Sequence, residues 1–80
     1  MRDYNSNEYK DFLKKVKERD NYRCKMCNCK KKLQVHHILE WASNPHLRYE
    51  LTNGITLCAE CHKSIRHHEK TWALYLSKLI

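Results

Sequence analysis

The sequence predicts a small α+β domain in which helices flank two short strands. Apolar residues recur at helical spacing near each end of the chain, and two segments rich in β-branched residues lie between these stretches. No internal repeat or low-complexity linker divides the 80 residues, so we predict one domain over residues 1–80.

Two apolar stripes predict the flanking helices. The first helix is expected to begin after Ser6, a suitable N-cap, and to continue to about Arg19. Its stripe comprises Tyr9, Phe12, Leu13 and Val16. The stripe of the C-terminal helix comprises Trp72, Tyr75, Leu76 and Leu79. We interpret both stripes as core and expect the two helices to pack on each other, although a stripe of Trp and Tyr can instead bind a partner.

Between the stripes, residues 33–38 and 55–57 have the composition of strands. The intervening segment contains two turn signals, Asn44-Pro45 and Asn53-Gly54. Residues 59 to about 69 predict a short helix that directly follows the second strand.

The composition indicates that the core needs additional stabilisation. Only 16 of the 80 residues are Leu, Ile, Val or Phe, and a domain this small usually depends on disulfides, a metal or a partner. No apolar run approaches the length of about 18 residues that a membrane span requires, and the first residues are polar, so we expect an intracellular protein. The five cysteines are then better explained as metal ligands or free thiols than as disulfides.

The cysteine spacing predicts a structural zinc site. Cys24 and Cys27 form one C-x2-C pair, and Cys58 and Cys61 form another. Two such turns complete a tetrahedral shell of four thiolates, which leaves zinc no open position for catalysis. A redox pair is the alternative, but the sequence lacks the βαβ context of that motif. Cys29 is left over as a spare thiol that could substitute as a ligand.

The charge favours a polyanionic partner. Sixteen Lys and Arg against nine Asp and Glu give a net charge of +7, which favours nucleic acid over an anionic membrane because no strongly amphipathic basic helix dominates. The same charge could serve solubility alone. Lys30, Lys31 and Lys32 could likewise follow a DNA backbone or be solvated.

A set of polar residues falls at the ends of the predicted strands. His36 and His37 end the first strand, Asn53 precedes the second, and His62 follows the last cysteine pair. Where the pleat breaks at a strand end, adjacent histidines can reach one site, one to bind metal and the other to handle a proton.

This order of residues resembles the HNH endonuclease family, especially its small bacteriophage members with a four-cysteine zinc site. The resemblance spans about residues 19–69 and depends on the two cysteine pairs, Val35-His36-His37-Ile38, and Asn53-Gly54-Ile55-Thr56-Leu57-Cys58 continuing to His62. It implies a ββα-metal (His-Me finger) fold and metal-dependent hydrolysis of DNA phosphodiesters.

The resemblance also implies roles for individual residues. His37 matches the general base, and His36 matches the metal ligand before it. Asn53 matches the residue that holds the hairpin and base, and His62 matches the metal ligand on the helix. Some relatives have a further histidine ligand where this chain has Arg66, and His67, one residue later, is an alternative contributor.

These roles are chemically coherent. A divalent cation (Mg²⁺, Mn²⁺, Ni²⁺ or Zn²⁺) would neutralise charge on the phosphate oxygens. We expect a neutral His37, with Nδ1–H bonded to a backbone carbonyl, to accept a proton from the attacking water. Lys63 and Arg66 are candidate phosphate contacts.

The alternative function is a non-catalytic zinc-knuckle module that binds nucleic acid, although such a module has no need of His36, His37 and His62. We interpret His46 and His68 as surface residues, and Trp41 and Tyr49 as minor core. DNA is the expected partner, and the resemblance to small phage members implies action in the cytoplasm of a bacterial host, in some cases beside the phage terminase.

Overall fold

The computed structural model describes residues 7–39 and 45–80. It confirms the α+β class, with three helices and one two-stranded antiparallel sheet among these residues. The helices are α1 (Asn7–Arg19), α2 (Ala59–Ile65) and α3 (Glu69–Ser77), and the strands are β1 (Leu33–His37) and β2 (Gly54–Cys58). Two 3₁₀ turns, Pro45–Leu47 and Leu51–Asn53, precede β2. No helix in the described ranges is both long and apolar enough to cross a membrane.

The predicted helix over residues 59–69 is shorter than expected. It ends at Ile65, and the chain then turns through His67, which has a φ of 70°. This left-handed residue interrupts the helical hydrogen bonds, so a separate helix, α3, begins at Glu69. Ser6, the predicted N-cap of the first helix, lies outside the described residues.

The hairpin of β1 and β2 is the centre of the fold. Its register pairs His36 with Ile55 and His37 with Gly54. Every residue of β2 is buried because α1 covers one face, while α2 and α3 cover the other. Adjacent residues of each strand therefore face different helices.

The prediction that the two terminal helices pack on each other is wrong. Leu76 of α3 is fully buried in a cluster on the α2 side of the hairpin, which includes Ile55, Leu57 and Ile65. Phe12 and Val16 of α1 are buried on the opposite face, against Gly54. The sheet separates the two stripes, since each of its faces needs its own apolar cover. Tyr75, which was expected in the core, is 46% exposed.

Gly54 permits the close packing of α1. A Cβ atom at this position would lie 2.7 Å from Cζ of Phe12 and 2.8 Å from Cγ2 of Val16, which is too close for any side chain. The absence of a side chain lets Phe12 approach His37, the cross-strand neighbour of Gly54.

Candidate metal and catalytic site

The two cysteine pairs form tight turns, one before β1 and the other where β2 passes into α2. In the first, the amide of Cys24 donates to the carbonyl of Cys29, and the amide of Asn28 donates to the carbonyl of Cys24, both at 2.8 Å. In the second, Cys58 is the N-cap of α2, and its sulfur accepts the amide of Cys61 at 3.4 Å. Each turn directs two sulfurs to the same point.

The four sulfurs, from Cys24, Cys27, Cys58 and Cys61, all lie within 4.8 Å of one another. Zn–S bonds of about 2.3 Å place tetrahedral sulfurs about 3.8 Å apart, and the sulfurs of Cys27 and Cys58 are 3.6 Å apart. The amide of Cys61 lowers the pKa of the Cys58 thiol to about 6, whereas burial raises the pKa of the Cys61 thiol, so the cluster deprotonates first at Cys58. The structure thus confirms four cysteines placed to hold a metal ion, and all-thiolate chemistry fits structural zinc.

Cys29 lies outside this set of four sulfurs. Its thiol is directed to the carbonyl of Lys31 at 3.6 Å, and its own carbonyl accepts the amide of Cys24. The residue therefore shapes the first turn through its backbone, in agreement with its interpretation as a spare thiol.

His36 and His62 come together on the α2 side of the hairpin. Their ring centroids are 5.3 Å apart, and the rings are inclined at 58°. His36 is 8% exposed, and in the described part of the chain its Nε2 has no hydrogen-bond partner. Burial, and then the charge of His62, lower the pKa of His36 to about 4, so the ring is neutral at pH 7 and can donate a lone pair to a metal ion.

His37 contacts the α1 side instead. Its ring stacks on Phe12 with centroids 5.1 Å apart and planes 18° apart. Its Nε2 lies 2.8 Å from the carbonyl oxygen of Arg48. The loop carbonyl of Arg48 therefore meets the distal end of the ring, and the expected bond through Nδ1–H stays a prediction.

Asn53 joins the end of β1 to the loop before β2. Its Oδ1 accepts the amide of Leu39 at 2.8 Å, and its Nδ2 donates to the carbonyls of Leu39 and Leu47 at 3.3 and 3.2 Å. The backbone carbonyl of Asn53 also accepts the amide of Ile38 at 2.8 Å. With 5% exposure, this side chain is a buried cross-link between two segments that carry His37 and its carbonyl partner.

A basic pocket opens beside His62. It has a volume of about 340 Å³. Its lining residues are Lys32, Gln34, Ala59, Glu60, His62, Lys63 and Arg66. The two predicted phosphate contacts, Lys63 and Arg66, therefore share one concavity with His62, and Lys32 from the segment before β1 joins them.

Other predicted residues do not line this pocket. His46, His67 and His68 are exposed, while Tyr49 packs against Phe12 with ring centroids 6.2 Å apart. Trp41 lies outside the described residues. Among residues 7–39 and 45–80, only the four cysteines bring three or more candidate ligand atoms within 4.8 Å of one another, so no third ligand at that distance accompanies His36 and His62.

Sequence reasoning missed a buried acidic residue and its neighbour. Asp20 is 3% exposed and accepts the amide of Thr56 at 2.9 Å, and Arg19 donates to the same carboxylate. The spacing of charged residues along α1 gave no sign that Asp20 is buried, because the amide that it accepts belongs to Thr56, 36 positions away. Arg48 was also missed, since a backbone carbonyl has no signature in the sequence.

The comparisons with known proteins agree with this geometry at the level of the family. The family model described as HNH endonuclease matches residues 24–69, which is more than half of the chain and contains the cysteine set, both strands and α2. No curated protein and no solved structure matches the chain. Because the match covers the hairpin, the helix and the residues that form the site, the chain belongs to the HNH endonuclease family.

Proposed function

We propose that this protein is a metal-dependent endonuclease that hydrolyses DNA phosphodiester bonds. The observation that carries the proposal is the buried Nε2 of His36, which lacks a hydrogen-bond partner in the described chain and lies beside the ring of His62. A buried polar atom without a partner is costly, and a neutral imidazole nitrogen in that position is a good metal ligand.

His36 and His62 would hold the catalytic ion. When bound there, a divalent cation would neutralise the negative charge that develops on the phosphate oxygens during hydrolysis. Water and phosphate oxygens would complete the binding of the ion, and His67 is the alternative protein contributor in place of the relatives' histidine at position 66. Mg²⁺, Mn²⁺, Ni²⁺ and Zn²⁺ are the candidate ions. The four cysteines would hold a separate structural zinc.

His37 is the proposed general base. A carbonyl oxygen only accepts hydrogen bonds, so the Nε2 that contacts Arg48 must carry the proton. In a neutral imidazole the lone pair is then on Nδ1, and that atom would take the proton from the attacking water. Stacking on Phe12 supports this orientation of the ring.

Asn53 would act through His37 rather than on the phosphate. Its amide binds the carbonyl of Leu47, the residue before Arg48, and both backbone groups of Leu39, two residues after His37. It thereby fixes the base and its carbonyl partner relative to each other.

Arg66 and Lys63 are the proposed contacts to the DNA backbone. They line the pocket beside His62, and Arg66 can bind two oxygens of one phosphate. The net charge of +7 favours the approach of DNA in a salt-dependent way. Action on DNA in the cytoplasm of a phage-infected or prophage-bearing bacterium, and work beside a terminase, stay predictions supported by the resemblance to small phage members.

The proposal is tested by incubating supercoiled plasmid with purified protein and Mg²⁺, Mn²⁺ or Ni²⁺. We expect nicking by the wild type and a loss of about 100-fold or more in rate for His37→Ala, because a general base contributes roughly 10²–10⁴-fold. His68→Ala, an exposed histidine, is the matched control and should cleave normally.

Zinc content and circular dichroism establish that each variant is folded. Cleavage by His37→Ala at the wild-type rate would contradict the assignment of the base. Absence of cleavage by folded wild type with all of these ions, combined with DNA binding, would favour the non-catalytic module.

A further inference from the structure

Arg19, the last residue of α1, binds backbone carbonyls on both sides of Asn53. Its Nη1 donates to the carbonyl of Leu51 at 2.5 Å, and its Nη2 donates to the carbonyl of Gly54 at 2.6 Å. One guanidinium thus holds the 3₁₀ turn Leu51–Asn53 and the first residue of β2. These are charge-assisted bonds, which are stronger than bonds between neutral groups.

Asp20 fixes the direction of that guanidinium. Its Oδ1 accepts Nε of Arg19 at 2.8 Å and its Oδ2 accepts Nη2 at 3.0 Å. The carboxylate is itself held by the amide of Thr56 in β2. The side chain of Asp20 is 1% exposed and that of Arg19 is 29% exposed, so the pair is shielded from the solvent that weakens surface ion pairs.

Further hydrogen bonds connect the segment that Arg19 binds to the carbonyl that contacts the proposed base. Asn53, between the two carbonyls that Arg19 binds, donates to the carbonyl of Leu47. The amide of Asn53 also donates to the carbonyl of Glu50. The amide of Glu50 in turn donates to the carbonyl of Leu47. The carbonyl of Arg48 lies within this braced segment and receives Nε2 of His37.

We propose that Arg19 is a positioning residue for the general base: by bracing residues 47–54 it keeps the carbonyl of Arg48 in register with His37 and thereby selects the Nε2–H tautomer. This inference builds on the proposed function, because it concerns the residue assigned as the base. A lysine carries a single ammonium and cannot reproduce the planar fork that spans two carbonyls and a carboxylate.

The test uses the full chain with its zinc and compares Arg19→Gln with Arg19→Lys. The matched control is Leu79→Ala, which removes apolar packing from the α3 side of the hairpin and touches a different cluster. We expect kcat for plasmid nicking to fall about 10–100-fold in Arg19→Gln, the scale of a base displaced by about 1 Å, while KM stays within about two-fold. Arg19→Lys should fall between Arg19→Gln and wild type, and the control should keep wild-type kcat at a temperature where it is folded.

Nitrogen-15 NMR of the His37 ring supplies a readout that does not depend on activity. In wild type we expect the pattern of a protonated Nε2 and an unprotonated Nδ1, and in Arg19→Gln a mixture of both tautomers, with the control unchanged. An Arg19→Gln variant with wild-type kcat, or with the wild-type ring pattern, would overturn the inference.

The two proposals fail in different ways. If wild type does not cleave DNA, the proposed function fails, whereas the ring pattern of the variants still decides whether Arg19 sets the tautomer. If Arg19→Gln does not fold, the same two measurements on Arg19→Lys decide the question, since lysine keeps the charge beside Asp20.

Discussion

The two faces of the hairpin hold adjacent histidines by different means. On the α2 side, His36 lies beside His62, and its Nε2 has no partner in the described chain. On the α1 side, His37 is held by a loop carbonyl and an aromatic ring. One face brings two histidine rings together with an unpartnered nitrogen, and the other holds its histidine by a hydrogen bond and a ring contact within the protein.

This difference separates two requirements of metal-dependent hydrolysis. A metal ligand needs an accessible lone pair on a fixed ring, whereas a base needs a defined tautomer. In the proposed mechanism, the alternation of side chains along β1 assigns each requirement to one face, so substitutions on one face should leave the other function measurable.

The largest expected effect is loss of the fold when the zinc site is broken. Cys58→Ser removes one of the four sulfurs but leaves a hydroxyl that can still cap α2. Because zinc binding contributes on the order of 10 kcal/mol in small zinc domains, we expect loss of bound zinc and of most of the cooperative unfolding transition. Metal analysis and thermal melts followed by circular dichroism measure this. Cys29→Ser is the control and should retain zinc; an unchanged melting temperature for Cys58→Ser would refute structural zinc.

The next largest expected effect is on the affinity for a divalent ion at the proposed site of His36 and His62. His36→Ala removes one of two proposed ligands, so we expect the affinity for Mn²⁺, followed by electron paramagnetic resonance, to fall about 100-fold, while zinc stays in the cysteine site. His37→Ala tests the separation of the two faces, because it should bind Mn²⁺ as wild type does. An equal loss of Mn²⁺ affinity in both variants would show that the faces are not independent.

A smaller effect is expected from disturbing the α1 face alone. Gly54→Ala places a Cβ against Phe12 and Val16, and overpacking of this kind costs about 1–3 kcal/mol in the free energy of unfolding. Zinc content and Mn²⁺ affinity should not change. In a double-mutant cycle measured by denaturant unfolding, Val16→Ala should reduce the cost of Gly54→Ala; strictly additive costs would contradict the close contact.

The smallest expected effect is on DNA affinity. Arg66→Ala should weaken binding to duplex DNA of any sequence and reduce the slope of log affinity against log salt by about 1, as for loss of one phosphate contact. Fluorescence anisotropy at several salt concentrations measures the slope. Lys14→Ala, an exposed residue of α1 paired with Glu18, is the control with an unchanged slope; an equal effect of both variants would place the DNA elsewhere.

Local patterns predicted much of this protein because the interactions that define them are short in sequence. The apolar stripe of α1, the strands, and the two cysteine turns each depend on residues within a few positions of one another. The family resemblance indicated which of these residues belong to the proposed site. The predicted end of α2, at about residue 69, lies beyond the observed end at Ile65, because no residue type at positions 66–69 indicates that His67 has a positive φ.

The sequence by itself determined the α+β class and the four cysteines placed to hold a metal ion, since these follow from periodicity and spacing, and its motifs carried the resemblance to the family. Only the tertiary structure decided that the terminal helices cover opposite faces of the hairpin, that His37 bonds through Nε2, and that Arg19 and Asp20 brace the loop around Asn53. The physical reason is that these contacts join residues far apart in the sequence, 36 positions for Asp20 and Thr56, and their partners include backbone groups, which every residue has and no sequence pattern distinguishes.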